Sequence, residues 1–254
     1  MSSDLNLDIY VISLPDAHDR RERVQREFSS LGLQFQFFNG VDANSLREQL
    51  LSNTDVELWE RNMGAKLTMG HLGCYMAHVD LWKKVSSLNK PVLICEDDVV
   101  FSKNFLEALE KALHLQDAWD ICRLSKIRAK GPITVQRLEN FELNYYWGPF
   151  TGNACYLIHP LVAKKLSNSF LPITRAHDHE LNRFFVHGIR LTGLEPFSAS
   201  PVDHGLSYIT GDHNDNVHKL HKLKRAPHYF LKLSNYVRRF IWLWKNGIIT
   251  IRSR

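Results

Sequence analysis

Apolar residues recur along this chain in two rhythms. Residues 8–14, DIYVISL, make a short apolar run of strand length. In the following segment Val24, Phe28 and Leu31 return at helical steps, and Gly32 stands where a helix C-cap is expected. QFQFFNGVDA then reads as a short aromatic strand ending at Asn39-Gly40. Residues 70–86 predict a helix, with Leu72, Met76, Val79 and Lys83 advancing at helical steps and Trp82 nearby. A strand follows at 91–95, then a helix after Ser102 with Phe105, Leu109 and Leu113 on one side. WDICRL (119–124) and NACYLIH (153–159) are further strands, the second leading into a helix at 160–169. Strands alternating with helices predict an α/β layer structure with a mainly parallel sheet, whose ligands bind beyond the carboxyl ends of the strands. No internal repeat or low-complexity linker interrupts the pattern.

The last rhythmic segment is HYFLKLSNYVRRFIWLWKNG, residues 228–247. On a helical wheel Phe230, Leu233, Tyr236, Val237, Phe240, Ile241 and Trp244 share one arc. Lys232, Arg238, Arg239 and Lys245 lie opposite, with Trp242 the apolar exception. Charge sharpens this reading. The net charge is +5, yet ten Lys and Arg and no acid fall between Lys219 and Arg254, leaving 22 basic against 27 acidic residues, net −5, in the remainder. A basic amphipathic helix rich in Trp and Phe suits an anionic membrane surface. Docking on the domain through its apolar arc is the structural alternative, and nucleic-acid binding a weaker third.

With 254 residues, 44% of them hydrophobic, the chain suffices for one large domain, here expected at 1–215 with an appended tail at 216–254. Cys74, Cys95, Cys122 and Cys155 lie far apart in apolar segments, which suits reduced thiols better than a disulfide framework or a metal knuckle. MSSDLNLDIYVISL lacks a basic region before its apolar stretch, and no apolar run approaches the ~20 residues of a membrane span. A cytoplasmic location is expected.

The chemistry concentrates at the end of one strand. In PVLICEDDVV, residues 91–100, apolar residues run into Glu96, Asp97 and Asp98. Adjacent carboxylates repel, so either the strand ends in water or a cation sits there. In extended chain Glu96 and Asp98 share a face, where they could hold a divalent ion while Asp97 grips a sugar hydroxyl or a backbone donor. Thirteen histidines are present, mostly expected at structural positions; His71 and His78 would share a helix face. In ITRAHDHELNRFF, Asp178 precedes a helix, so it is a helix N-cap or a general base. YYWGPFTGNACYLIH (145–159) is a ligand-facing aromatic and glycine loop or a turn closing the core.

Taken in order, these segments resemble glycosyltransferase family 25, the enzymes of lipooligosaccharide biosynthesis. The carriers are VISL, Arg20-Arg21, the FF strand with Asp42, LTMGHLGCYMAHVDLW, EDDV, TGNACYLIH and Asp178, spanning roughly residues 8–210. Two positions depart from the family pattern: His71 stands where glutamate is usual and Ala77 where serine is usual.

The resemblance implies a fold like the GT-A glycosyltransferases and transfer of a hexose, galactose or glucose, from a UDP-sugar to a lipooligosaccharide with inversion. It implies Mn²⁺ or Mg²⁺ held by Asp98 and Glu96, with His204 completing the shell. Ser13, Arg21, Asp42, Glu96, Asp97, Thr151 and Gly152 would bind the nucleotide sugar, and Asp178 would be the base. A metal neutralises charge on a departing diphosphate, and a carboxylate deprotonates the attacking hydroxyl. The tail would then hold the enzyme at the inner face of the inner membrane, with no role for nucleic acid. A phosphotransferase using the same acids and a non-catalytic glycan-binding protein are the competing accounts.

Overall fold

The computed structural model describes residues 7–202 and 218–249. The first apolar run becomes β1 (Asp8–Ser13), followed by α1 (His18–Ser30), β2 (Gln36–Asn39), α2 (Arg47–Ser52), α3 (Val56–Met63) and α4 (Met69–Val85). The chain continues through β3 (Val92–Glu96), β4 (Val99–Phe101), α5 (Phe105–His114), β5 (Ile121–Arg123), β6 (Arg128–Ala129), β7 (Pro132–Leu138), β8 (Phe141–Tyr146) and β9 (Phe150–Thr151). Then come β10 (Cys155–Ile158), α6 (Pro160–Ser169), α7 (His177–Leu181), α8 (Phe184–His187), β11 (Leu191–Glu195), β12 (Ala199–Pro201) and α9 (Ala226–Lys245).

Eight strands form the main sheet in the order β2-β1-β3-β10-β5-β11-β8-β7. β1 is parallel to β2 and β3, and β5 to β11; β10 runs against β3 and β5, and β8 against β11 and β7. β2, β1, β3, β5, β11 and β7 therefore point one way, and β10 and β8 the other. The carboxyl ends of β1, β3 and β5 consequently meet the start of β10 along one edge of the sheet. Ser13, Glu96, Arg123 and Asn153 stand there.

Alternation along the central strands builds two cores. Tyr10, Val92, Ile94, Tyr156 and Ile158 face Leu72, Tyr75, Val79 and Trp82 of α4 and Ala163 and Leu166 of α6. Ile9, Val11, Leu93, Cys95, Cys155 and Leu157 face the other way, onto Val24 and Phe28 of α1 and Phe105, Leu109 and Ala112 of α5. Strands covered on both faces read as continuous apolar runs, which is why they were visible in the sequence. All four cysteines are free. The β7–β8 ribbon was not predicted. β7 lies at the sheet edge, and its half-buried positions show no clean alternation.

Helix α9 docks on the domain, yet not through its apolar arc. His228 Nδ1 lies 2.7 Å from the Asn62 carbonyl, and Arg239 Nη1 donates to the Trp147 carbonyl at 2.7 Å. Trp242 packs on Phe184 and Tyr145, and Leu243 is fully buried in the first of the two cores. Tyr236 turns in against Trp147. The rest of the arc faces out: Phe230 is 74% exposed, Leu233 64%, Val237 52% and Trp244 50%. Among the described residues no helix is long and apolar enough to cross a membrane.

Candidate functional site

The acidic triplet closes β3, and its members face three different surroundings. Asp97 turns toward the end of β1, where its Oδ2 accepts the Ser13 hydroxyl at 2.8 Å and its Oδ1 accepts Arg20 Nη1 at 3.1 Å. Arg23 donates to the Asp97 carbonyl at 2.8 Å. Asp97 is thus a neutralised anchor rather than a free ligand.

Glu96 turns toward α4. Its Oε1 lies 3.3 Å from His78 Nε2, and His78 Nδ1 lies 2.9 Å from the Tyr156 hydroxyl. Trp82 Nε1, which can only donate, occupies the same hydroxyl at 3.0 Å. The assignment that satisfies each donor has Tyr156 O–H donating to Nδ1 and Nε2–H donating to Glu96. The His78 ring stacks on His177 at 4.1 Å between centroids. His177 is held neutral, its ring pushed well below the usual range by burial and then by His78 and Arg123.

Asp98 is the member left open. Its Oδ1 is buried without a hydrogen-bond partner. Its carboxyl is pushed up to about 7, first by burial and then by the charges of Glu96 and Asp97, against the pull of Arg20 and Arg23. An orphaned carboxylate oxygen beside a second carboxylate is what a hard divalent cation with oxygen ligands needs, so Asp98 and Glu96 fit Mg²⁺ or Mn²⁺. Cys74, His78 and Glu96 also bring donor atoms within 4.8 Å of one another. That set fits less well. Burial and the surrounding carboxylates raise the Cys74 thiol well above its usual range, and His78 is already spent on Glu96 and Tyr156.

The Cys74 thiol also marks how the site is joined, since Asp178 acts on it together with Glu96, Asp98 and Asp97. Asp178 is not a helix cap. The N-cap of α7 is Ala176, without a side-chain cap bond, and Asp178 Oδ2 instead accepts the Gly152 N–H at 3.0 Å. Burial would raise this carboxyl, but His179, Arg123 and two backbone N–H groups together hold it below the ordinary range. Only glycine suits position 152: its φ is +97°, and a Cβ there would fall 2.5 Å from the Ile127 nitrogen. Thr151 is buried beside it on β9.

Arg123, fully buried at the end of β5, lies under this group. One guanidinium nitrogen donates to the Phe150 carbonyl, and burial lowers its pKa to about 10 despite Asp178 nearby. Arg123 was not picked out in the sequence, because a single polar residue inside an apolar segment gives no local signal; His177 stood out only as part of the polar knot His177-Asp178-His179, without a role in the site.

Two candidate residues serve the frame instead. Arg21 spends its donors on the Leu14 and Ser13 carbonyls and Asn39 Oδ1, tying β1 to β2, and lies over the Phe37 ring. Asp42 is exposed, and its Oδ1 accepts the Asn44 N–H at 3.0 Å. His71, where a glutamate is usual, takes Thr68 Oγ1 at 2.6 Å and packs on Trp59. His204 lies outside the described residues.

Residues 6–181, which contain each of these candidates except His204, match the family described as glycosyltransferase family 25 (LPS biosynthesis protein). The chain belongs to glycosyltransferase family 25. Among family 25 relatives, the lipooligosaccharide biosynthesis protein lic2B of Haemophilus influenzae is 30% identical over 181 residues, covering 66% of this chain and 65% of that protein. Procollagen galactosyltransferase 1-A of Xenopus laevis is 27% identical over 230 residues, covering 81% of this chain and 36% of its own length. Inactive glycosyltransferase 25 family member 3 of Homo sapiens is 30% identical over 229 residues, with 81% and 37% covered. The chain therefore spans just under two thirds of the bacterial relative and little more than a third of the animal ones. One solved structure, the inositol-1-phosphate CTP transferase from T. maritima, overlaps 83% of this chain and 97% of that chain at TM-score 0.44 and 12% identity. A likeness so distant carries no functional weight.

Proposed function

We propose that this protein is an inverting, metal-dependent hexosyltransferase with a GT-A-like fold. It would move galactose, or alternatively glucose, from a UDP-sugar to a lipooligosaccharide acceptor at the inner face of the inner membrane. The observation that carries the reading is the buried, partnerless Asp98 Oδ1 beside Glu96, at the carboxyl ends of parallel strands. Membership of a family of LPS biosynthesis proteins and likeness to the Haemophilus lipooligosaccharide biosynthesis protein support lipooligosaccharide chemistry, and likeness to the Xenopus procollagen galactosyltransferase supports galactosyl transfer.

Asp98 and Glu96 would hold Mn²⁺ or Mg²⁺, which supplies positive charge to a departing diphosphate. Asp97 ties the end of β3 to β1 through Ser13 and to α1 through Arg20, which fixes the backbone between Glu96 and Asp98. Asp178 is the base. It is ionised at neutral pH, and Gly152 N–H fixes one oxygen. It takes the proton from the acceptor hydroxyl as that oxygen attacks the sugar carbon from the side opposite the leaving group. The outward apolar arc of α9, flanked by Lys and Arg, supports contact with an anionic membrane.

Calorimetry with UDP and Mn²⁺, followed by a UDP-hexose turnover assay, tests the reading. Wild type should bind UDP only with metal, and Asp98→Ala should abolish that binding. Asp178→Asn should retain it while losing transfer by about 10²–10⁴-fold, the usual worth of a general base. Metal-independent UDP binding would overturn the proposal. A non-catalytic glycan-binding role is the second reading, favoured by His71 replacing the usual carboxylate. Metal-dependent UDP binding without turnover would select it.

A further inference from the structure

Thr151 and His179, the chain neighbours of the hydrogen-bonded pair Gly152 and Asp178, line a cleft of about 710 Å³ including its open mouth, walled on one side by α9. Arg128, Arg175, Arg183, Lys232 and Arg239 line it, and among the described residues no Asp or Glu does. Behind it Glu180 serves Arg175 and Arg183 together, at 2.7 and 3.0 Å, and also His187. One carboxylate thus answers two guanidiniums. The side chains of Arg128 and Lys232 have no hydrogen-bond or ion-pair partner among the described residues, though the Arg128 backbone pairs with Thr151.

Arg239 carries the argument furthest. It is 3% exposed, its Nη1 goes to the Trp147 carbonyl, and its Nε is buried without a partner. No carboxylate among the described residues pairs with it, and burial pushes its pKa down to about 10. A buried guanidinium without a counter-charge is costly to a fold, and it persists where a ligand brings the missing anion. Apart from Tyr236, which lines the cleft, the apolar arc of the same helix points outward, and His228, Lys232, Asn235 and Arg239 make the rest of this wall.

We infer that the cleft is an acceptor subsite for a phosphorylated sugar, its phosphate seated among Arg128, Lys232 and Arg239 and its hydroxyls directed toward Asp178. The inference rests on the transferase reading and adds the acceptor's chemical class. Phosphate oxygens accept several charge-assisted bonds at once, and guanidinium forks match their geometry.

The test is calorimetry on the full chain without divalent metal, using glucose 6-phosphate, inorganic phosphate and glucose as probes. Glucose 6-phosphate should bind and glucose should not. Arg128→Gln and Lys232→Gln, both at the cleft's rim, should each weaken binding by about three- to tenfold with unchanged melting temperature. Added UDP with Mg²⁺ should leave glucose 6-phosphate in place, and so should phosphatidylglycerol vesicles. Equal binding of glucose and its phosphate, or no effect of either variant, overturns the inference. Displacement by UDP would assign the cations to the donor, and displacement by vesicles to a lipid headgroup; each overturns it too. Loss of metal-dependent UDP binding with glucose 6-phosphate still bound would instead sink the transferase reading and leave the anion site standing.

Discussion

Asp98 joins a stability cost to its proposed role in holding a metal. Its carboxyl is raised from the ordinary 3.8 to about 7, so folding takes up a proton between those values. The metal-free protein should therefore lose stability as pH rises from about 4 to about 7. Asp98→Asn removes the repulsion. At pH 8 it should stabilise the metal-free protein by on the order of 2 kcal/mol, allowing for residual solvent screening. Denaturant melts at pH 5 and pH 8 check this, and an equal effect at both would refute it. Gly152 behaves oppositely. Gly152→Ala would meet the Ile127 nitrogen and strain a positive φ, costing about 1–3 kcal/mol and withdrawing the N–H from Asp178. Transfer should fall while metal-dependent UDP binding survives, as parallel activity and calorimetric assays would record. The carboxylates of this site were legible because three acids ending an apolar run conflict with burial. The buried partners Arg123, His177 and Tyr156 were not, since their meaning exists only once β5, β10 and α7 come together.

At the scale of elements, local rhythm sufficed wherever a strand or helix is covered by one of the two cores. α1, α4, α5 and α6 emerged within a few residues of their predicted positions. The segment 46–63 did not: α2 is a short helix of mostly exposed residues, whereas α3 carries local signals that could have found it, Asp55 capping the Leu58 N–H and Gly64 ending the helix in the left-handed conformation. For α9 the helix was legible and its orientation was not. Amphipathicity distinguishes two faces but does not say which one meets the domain. Here His228, Arg239, Trp242 and Leu243 dock, and Phe230, Leu233, Val237 and Trp244 stay out. Replacing Phe230, Leu233 and Val237 together with Ser should leave the melting temperature within about 2 °C, because exposed positions contribute little to folding. Flotation with phosphatidylglycerol vesicles should fall at least tenfold, and unchanged flotation would remove the membrane role of that face.

Across the whole molecule, charge is divided between a body of net −5 and a tail carrying ten basic residues. Such a dipole should bring the tail side toward anionic lipid first, so vesicle binding should weaken steeply between 50 and ~300 mM salt as the Debye length shrinks. Neutral phosphatidylcholine vesicles should show no comparable dependence. Deleting residues 219–254 is a poor probe of this division, because Leu243 belongs to the core and Arg239 holds the Trp147 turn. The uneven charge was readable from the sequence; that the tail also walls a cleft was not, since it depends on which side α9 turns inward. That arrangement has a geometric consequence. One cylinder about 10 Å across separates the outward apolar side chains from those lining the cleft. On the proposed reading the helix acts as a ruler: it sets the height above the bilayer at which a hydroxyl meets Asp178. Saccharides attached close to their lipid anchor come within reach, and those farther out along the glycan are passed over.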